Sequence, residues 1–459
     1  MKNDLLAPEL RELLNKKDIK GLQEFCASAH PGTTAEFLSA LAPEEVWEAL
    51  KVLEPRLRAE IFGHLDEDLQ VSLAESLKRQ ELAEIVTHMF GDERVDLLKR
   101  LPEGKQEALL PVLAQVERED IRRLASHPEG TAGAVMTSDY ATLTPGQSAA
   151  EAVAKLRREA PDKETIYYSY VVDSDRRLIG FISLKDLILA RPEKQVEEIM
   201  HRDLIFARVT DDQEDAARKI AKYDLIALPV VNGQNVLVGI ITHDDAIDII
   251  HQEYTEDMEK FMAIAGSHET GAYLRTTPWQ HFRNRCAWLV ALAALGLVSG
   301  YIVQTYEGML LQFALLATFM PMLADTGGNA GSQSATLVVR ALALREITRG
   351  DIFRVLWKEF QVGVPLALLL GILAFGRVLF FSGSSGRPEG FSLYDVGLAI
   401  GAALGVQVLT ATLIGALLPL AAARFKFDPA VVASPALTTI VDITGLFIFF
   451  TTAKLMLGI

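Results

Sequence analysis

The sequence has few cysteines and no motif of the common enzyme classes. Only Cys26 and Cys286 occur among 459 residues, and their separation excludes a disulfide framework and gives no metal-ligand spacing. There is no phosphate-binding P-loop, no nucleophile triad and no HExxH zinc motif, so we predict that the protein is not an enzyme. No apolar stretch follows residues 1–4, so we expect no signal peptide.

Charge is scarce in the carboxyl-terminal part of the chain. Residues 284–459 hold 11 Lys or Arg and 9 Asp or Glu, whereas residues 1–283 hold 34 Lys or Arg and 51 Asp or Glu. The first part therefore has a net charge of −17, although the mean hydropathy of the whole chain is +0.20. This division indicates an acidic soluble part followed by a membrane part. Because a negative field repels phosphate backbones, we expect small cations as partners and no nucleic acid.

Five long, nearly uncharged stretches follow Arg285. They span residues 286–305, 309–339, 360–381, 396–423 and 429–453. Each has about the 20 apolar residues that a helix needs to cross the hydrocarbon core, so we predict five membrane spans in contact with lipid. Lys and Arg concentrate in the loops on one side, which predicts a cytoplasmic amino terminus and, after five spans, an outside carboxyl terminus.

The second predicted span carries polar groups that are unusual for a helix facing lipid. Asp325, Asn329 and several glycines and serines occur within residues 321–336. Small residues favour a tightly packed seam between helices. Polar residues at membrane depth favour the wall of a pore or cavity. The sequence leaves both interpretations open.

The fifth predicted span contains one acid, Asp442. Its nearest charged neighbours in the chain, Asp428 and Lys454, lie 14 and 12 residues away. A carboxylate at mid-bilayer depth costs ~2.5–3.5 kcal/mol and usually faces a protein interior or an aqueous path. A buried cation on another helix could balance it, but Arg377 lies near the opposite end of its own span. We therefore predict a mobile cation as the counter-charge of Asp442.

Residues 131–253 contain an internal duplication. The segments at 135 and 199 match at an offset of 64, and the later parts match at an offset of 59. Each copy reads as strand, helix, strand, strand and helix, and ends in Ser183-Leu-Lys-Asp186 or Thr242-His-Asp-Asp245. This pattern resembles a tandem pair of CBS domains, in which such residues often hold an adenosine nucleotide. Capping of the following helix is the alternative.

Residues 1–130 are predicted to form short amphipathic helices in a small superhelical array, because a loose repeat is punctuated by prolines. This segment is rich in acids. Glu60 stands out, as do Asp92 and Asp96, which share one helix face at a spacing of four residues. A solvated surface is the ordinary explanation for such acids.

The order of these parts resembles the MgtE family of bacterial Mg²⁺ channels, over essentially the whole chain. The specific motifs are Thr326-Gly-Gly-Asn-Ala-Gly-Ser-Gln in the second span and Asp442-Ile-Thr-Gly445 in the fifth. The implied fold is a multidomain membrane protein with an all-α N domain, an α/β tandem CBS pair, a connecting (plug) helix and a five-helix transmembrane domain. The predicted bounds are 1–130 for the N domain, 131–194 and 195–253 for the CBS repeats, 254–282 for the connecting helix and linker, and 283–459 for the transmembrane domain.

The resemblance implies a homodimer in the bacterial plasma (inner) membrane that takes up Mg²⁺. Asp442 from each protomer would hold the hydrated ion, Asp428 would lie at the cytoplasmic pore mouth, and Asn329 and Asp325 would be further pore residues. Asp325 stands where many relatives carry a small neutral residue.

The resemblance also implies that Mg²⁺ bound to cytosolic acids closes the pore. The implied regulatory residues are Glu60, Asp92, Asp96, Glu214, Asp224, Asp245, Glu256 and Asp257. ATP binds the CBS pair in some members, and Lys185 and Asp186 are the candidates here. Two alternatives stay open. One is a proton-coupled divalent-cation transporter that uses Asp325 or Asp442, and the other is a membrane-tethered metal or nucleotide sensor without transport.

Overall fold

The chain begins with a series of short helices. A computed structural model describes residues 4–264, 273, 276–348, 350–381, 390–429 and 435–458. Its first helices are α1 (Ala7–Lys16), α2 (Ile19–Ser28), α3 (Pro31–Leu38), α4 (Pro43–Leu50), α5 (Pro55–Gly63), α6 (Glu67–Ser76), α7 (Arg79–His88), α8 (Gly91–Arg100), α9 (Glu103–Leu109) and α10 (Gln115–Ala125). Proline begins α3, α4 and α5 at a position where the missing N–H is not needed. The predicted all-helical N domain is confirmed.

A buried arginine ties several of these helices together. Arg58 on α5 is only 8% exposed. Its guanidinium donates to the carbonyl oxygens of Leu50 at 3.1 Å, Lys51 at 3.1 Å and Leu53 at 2.9 Å, and it pairs with Glu84 at 2.8 Å. The otherwise orphaned carbonyl groups at the end of α4 are satisfied in this way.

Two small sheets of identical topology follow. The strands are β1 (Tyr140–Leu143), β2 (Thr165–Val172), β3 (Leu178–Ser183), β4 (Ala207–Arg208), β5 (Ala227–Val231) and β6 (Leu237–Thr242). The helices are α11 (Ala149–Glu159), α12 (Leu184–Leu189), α13 (Val196–Ile199), α14 (Gln213–Tyr223) and α15 (His243–Phe261). In each sheet a parallel pair, joined by a crossover helix, is followed by an antiparallel pair. The predicted duplication is confirmed.

The N-terminal helices share a core with the second repeat. Leu98 of α8 and Leu124 of α10 belong to the same buried cluster as Ile220 and Leu228, whereas the first repeat has a core of its own. The backbone N–H of Gly91 also donates to Asp139 at 3.1 Å. This shared core holds the start of α8 close to the CBS pair.

The remaining helices belong to a second compact unit, Tyr254–Ile459, whereas the elements described so far belong largely to the first unit, Met1–Glu253. They are α16 (Pro278–Thr305), α17 (Glu307–Gln312), α18 (Ala314–Ala317), α19 (Met320–Ala343), α20 (Ile352–Phe381), α21 (Leu393–Arg424) and α22 (Pro435–Leu457). Within the described ranges, α16, α20, α21 and most of α22 are long and apolar enough to cross a membrane. Cys286 lies half-buried on α16, whereas Cys26 is buried on α2.

The predicted second span differs from the structure. Residues 309–339 were expected as one stretch, but the chain breaks at Phe313 and again at Thr318 and Phe319, so α17, α18 and α19 share it. Pro321 in the first turn favours a new helix at this point. α19 has 24 residues, or roughly 36 Å at 1.5 Å per residue, which is long enough to span. Because of its polar residues, α19 is not among the helices that are apolar enough to cross a membrane. A fifth span therefore stays a prediction.

Close backbone contacts hold the membrane helices around α21, which packs against α19, α20 and α22. At Gly401 of α21, a Cβ atom would lie 2.7 Å from the carbonyl oxygen of Gly371 on α20. At Gly415 it would overlap the backbone of Gly331 on α19. Glycine is therefore required where these helices cross.

Candidate functional site

One face of α19 is a packing seam. Gly327, Gly328 and Gly331 are buried against α21 and α22. A Cβ atom at Gly331 would lie 3.2 Å from the carbonyl oxygen of Ala411 and 3.3 Å from Cγ2 of Val441. The small residues of this span thus lie where the helices approach most closely, in agreement with the packing interpretation.

The opposite face of α19 is polar. Asp325, Asn329, Gln333 and Thr336 are all exposed, and their spacing of three or four residues places them in a single row. We call these four residues the polar stripe. The Nδ2 atom of Asn329 donates to Asp325 at 3.2 Å. Such a row is costly against lipid, so it requires water or another protein surface. The sequence predicted Asp325 and Asn329, and the same spacing could have identified Thr336.

Asp442 lies on α22, which packs against α19. Its side chain is half-buried. Within the described ranges its carboxylate makes no hydrogen bond or ion pair. Arg377 is engaged elsewhere, because its guanidinium donates to the carbonyl oxygen of Thr318 at 3.2 Å and lies 4.2 Å from the ring centre of Phe319. The role of Asp442 as a cation ligand stays a prediction.

Asp428 is linked to the connecting helix by a lysine. The Nζ atom of Lys260 lies 3.2 Å from Asp428 and 2.7 Å from Glu256. Asp257, the other predicted residue of this helix, is exposed. Two predicted Mg²⁺ ligands therefore share a lysine ammonium group, which the sequence analysis did not identify.

Four acids of the first unit influence one another. We call Asp92, Glu93, Glu164 and Asp245 the acidic cluster. The first two lie in the first turn of α8, Asp245 lies in the first turn of α15, and Glu164 directly precedes β2. Burial raises the pKa of Glu93 to about 7, and burial together with the charges of Asp92 and Asp245 raises the pKa of Glu164 to about 10.

The same causes act on the two predicted members of the cluster. Burial raises the pKa of Asp92 well above its usual range, and the carboxylates of Asp245 and Glu93 add to this effect. Burial also raises the pKa of Asp245, against the hydrogen bonds that it accepts from Thr242. Full ionisation of the cluster is therefore unfavourable unless a cation compensates the charge.

Two oxygen atoms of the cluster lack protein partners. Oδ1 of Asp92 and Oε2 of Glu164 are buried, and neither has a hydrogen-bond partner in the described part of the chain. No group of three acidic, histidine or cysteine side chains there is close enough to hold a metal ion directly. The arrangement suits a cation that keeps several of its water molecules, as Mg²⁺ usually does in proteins.

The other predicted regulatory residues of the first unit lie apart from the cluster. Glu60 and Asp96 are exposed, and Glu214 forms an ion pair with Arg218 within α14. Asp224 is exposed at the end of α14, with φ 51°. The structure thus brings two predicted residues together and adds two. No periodicity identifies Glu93 beside Asp92, and Glu164 lies in a loop.

The predicted nucleotide residues lie at the start of α12. Asp186 accepts hydrogen bonds from the Ser183 hydroxyl at 2.6 Å and from His201 at 3.1 Å, and the bond from Ser183 lowers the pKa of Asp186. Lys185 is exposed. The ring of His201 stacks on Phe181, which lines a cavity of about 60 Å³. This volume is far below the roughly 300 Å³ of a ligand pocket, whereas helix capping is directly observed.

Comparison with known protein families matches most of the chain. Residues 320–452 match the divalent cation transporter family MgtE, residues 29–130 match the MgtE intracellular N domain, and residues 132–193 and 196–252 match the CBS domain. The family resemblance and the tandem CBS pair, both expected from the sequence, are confirmed.

Full-length relatives and solved structures agree with this assignment. Magnesium transporter MgtE of Thermus thermophilus is 37% identical over 98% of this chain and 98% of its own length. Magnesium transporter MgtE of Bacillus subtilis is 32% identical over 85% of this chain and 84% of its own length. A solved cytosolic domain of the Mg²⁺ channel MgtE in complex with ATP is 37% identical, with a TM-score of 0.50, over 53% of this chain and all of that one. A solved structure of the soluble part of a magnesium transporter is 31% identical, with a TM-score of 0.52. The match covers 54% of this chain and 97% of that one.

Proposed function

The chain belongs to the MgtE family of magnesium transporters, and from this premise we propose that it is a homodimeric Mg²⁺ channel closed by cytosolic Mg²⁺. The observation that carries the proposal is the polar stripe of α19, with Asp442 on the neighbouring α22. A second copy of the chain, related by a two-fold axis, would enclose this surface and remove it from lipid. We place the protein in the bacterial inner membrane, with a cytoplasmic amino terminus and an outside carboxyl terminus.

The chemistry of Mg²⁺ fits these residues. The ion dehydrates reluctantly and prefers oxygen ligands, so it can bind carboxylates through its own water molecules. Two Asp442 carboxylates would supply the main charge, and Asn329 and Asp325 would supply oxygen atoms along the path. Asp428 would lie at the cytoplasmic mouth. With no ion present, two facing carboxylates would repel each other, which favours occupancy by a divalent cation.

The acidic cluster supports the proposed closure by cytosolic Mg²⁺. Its members repel one another when ionised, and a bound cation would remove that repulsion and stabilise the packed state. Mg²⁺ shifts the balance between open and closed states only to the extent that it binds the closed state more tightly. Asp92 and Asp245 are the proposed centre of this response. The other proposed contributors are Glu60, Asp96, Glu214, Asp224, Glu256 and Asp257.

We also propose that the CBS pair binds ATP, with Lys185 and Asp186 as candidate contacts. The solved cytosolic domain in complex with ATP, at 37% identity, supports this assignment. The present cavity would have to open, because it holds only about 60 Å³.

The test of conduction is Mg²⁺ uptake by the full chain in proteoliposomes. Asp442→Asn should abolish uptake while dimer size and yield stay at wild-type values. Asp175→Asn is a matched control, because it removes an exposed acid outside the spans to which no role is assigned, and it should leave uptake intact. Wild-type uptake by Asp442→Asn would contradict the proposed role of Asp442. Absence of Mg²⁺ uptake by the wild-type protein itself would instead favour a sensor without transport.

A second candidate function is proton-coupled transport, which the exposed Asp325 in the polar stripe favours. Flux measured against membrane voltage, with no pH gradient, separates the two mechanisms. A channel conducts under voltage alone, whereas obligatory exchange with protons collapses. Loss of flux in the absence of a proton gradient would therefore replace the channel proposal with coupled transport.

A further inference from the structure

One amide side chain lies between the two proposed pore helices. Gln407 belongs to α21, the helix at the centre of the membrane unit, and is only 1% exposed. Its Nε2 atom donates a long hydrogen bond, 3.4 Å, to the carbonyl oxygen of Leu323 near the start of α19. Its Oε1 atom is buried and has no hydrogen-bond partner among the residues that the structure describes.

Two glycines make room for this amide. A Cβ atom at Gly327 of α19 would overlap Nε2 of Gln407. A Cβ atom at Gly445 of α22 would lie 2.9 Å from Nε2 and 3.1 Å from Cγ of the same side chain. Three helices therefore contribute to one site, in which a buried amide fills the space that two missing side chains leave.

The glycines are close in sequence to the proposed pore residues. Gly327 lies between Asp325 and Asn329 on α19, and Gly445 lies one turn after Asp442 on α22. Gly327 and Gly445 face α21, whereas Asp325 and Asn329 are exposed. A change in how the amide packs would therefore shift both helix segments at the level of the ion path.

We infer that Gln407 is a positioning residue that fixes the spacing of α19 and α22 and thereby the place of the Asp442 carboxylate. This inference rests on the proposed Mg²⁺ conduction. The amide acts in two ways. Its volume separates Gly327 from Gly445, and its hydrogen bond to Leu323 fixes the first turn of α19. A polar group is retained in an apolar bundle because its bonding anchors one arrangement of the helices.

The first test is steric rescue in the full-length protein. Gly327→Ala should reduce Mg²⁺ uptake at least tenfold, because the new methyl group displaces the amide. Adding Gln407→Ala removes the obstacle and should restore part of that loss, but not all of it, because the hydrogen bond to Leu323 is then absent. Gly328→Ala is the matched control, because its Cβ would meet Cγ2 of Thr438 at 3.2 Å rather than Gln407. Gln407→Ala should not rescue it. Equal rescue of both alanine variants, or of neither, would overturn the inference.

The second test separates positioning from a contribution to stability alone. Gln407→Leu keeps a side chain of similar volume but removes both polar atoms of the amide. The protein should therefore still reach the membrane and dimerise. Its half-saturating external Mg²⁺ should rise about tenfold, which corresponds to about 1.4 kcal/mol. The proposed conduction fails if wild-type vesicles take up no Mg²⁺. The inference alone fails if wild-type uptake is normal and Gln407→Leu lowers only the yield, with the half-saturating Mg²⁺ unchanged.

Discussion

The two CBS repeats contain the same capping tetrad in opposite electrostatic surroundings. In the first repeat, the Ser183 hydroxyl donates to Asp186 at 2.6 Å, and this bond lowers the pKa of Asp186. In the second repeat, the Thr242 hydroxyl donates to Asp245 in the same way, yet burial raises the pKa of Asp245. The local hydrogen bonds are equivalent, so the difference arises outside the tetrad.

The difference comes from what packs against each tetrad. Asp186 faces His201 and keeps contact with solvent. Asp245 belongs to the acidic cluster with Asp92 and Glu93 of α8, a helix that shares its core with the second repeat. A duplicated motif thus places an aspartate in the first turn of a helix in both copies, and its tertiary neighbours decide whether the pKa of that aspartate is lowered or raised. The proposed function assigns nucleotide binding to the first tetrad and Mg²⁺ sensing to the second, and this difference in pKa is consistent with that assignment.

The largest expected effect is on the pH dependence of stability of a fragment covering residues 1–253. Glu93, with its pKa raised to about 7, holds its proton in the folded state above the roughly 4.3 of an unfolded Glu. Stability without Mg²⁺ should therefore fall between about pH 4 and 7, by about 1.4 kcal/mol per pH unit for each such carboxyl. Asp186 affects stability in the opposite direction, because its pKa is lowered in the folded state. Its contribution to the free energy of unfolding is present above about pH 4 and is lost below it.

Chemical denaturation at several pH values, with and without Mg²⁺, measures this effect. Bound Mg²⁺ should flatten the fall, and Asp245→Asn should reduce its slope. Stability that rises from pH 4 to 7 in Mg²⁺-free buffer would contradict the assignment of the acidic cluster.

The next effect concerns inhibition of uptake by internal Mg²⁺. Asp245→Asn removes a charge from the acidic cluster, so the half-inhibiting internal Mg²⁺ should rise about thirtyfold, the range typical of altering a metal site. Asp186→Asn alters the matching residue of the other repeat and should change it less than about twofold. Uptake into vesicles loaded with graded Mg²⁺ checks both variants, and equal shifts would remove the distinction between the repeats.

ATP binding should show the reverse preference. Asp186→Ala should weaken ATP binding about tenfold, or about 1.4 kcal/mol, whereas Asp245→Ala should have little effect. Calorimetric titration of the full chain at fixed Mg²⁺ measures this difference. Stronger dependence on Asp245 would place the nucleotide in the second repeat instead.

The smallest expected effect is that of the caps themselves. Ser183→Ala removes an N-cap and should cost about 1 kcal/mol of unfolding free energy. Thr242→Ala should cost a similar amount at low pH and more near neutral pH, because it also removes a hydrogen bond that favours the ionised form of Asp245. Denaturation of both variants at pH 4 and pH 7 measures the loss of unfolding free energy in each. The same pH dependence of that loss in both variants would show that the tetrads are equivalent.

The sequence was sufficient for much of the fold. The offsets between the repeats predicted two matching sheets. The prolines predicted a series of short helices, and Pro43 and Pro55 begin α4 and α5. The helix breaks at Phe313 and Thr318 were missed, because an apolar run does not show where the backbone changes direction. Pro321 was the only local signal there.

The sites were less accessible to prediction. Asp92 stood out through its spacing from Asp96, and the family resemblance gave Asp92 and Asp245 their predicted role. Glu164 joins them only through the packing of a loop before β2. Gln407 was missed because a single amide in an apolar span has no periodic signature. Its importance depends on Gly327 and Gly445, which belong to two other helices.

The two thiols described above differ enough to be separated chemically. Cys26 is fully buried, and burial raises its pKa to about 11, so little reactive thiolate forms there. Cys286 is partly accessible near the start of α16. A maleimide fluorophore should therefore attach at Cys286 alone in the folded wild-type chain. This single natural attachment point offers a direct optical reporter of movement at the head of the first membrane helix, without any engineered cysteine.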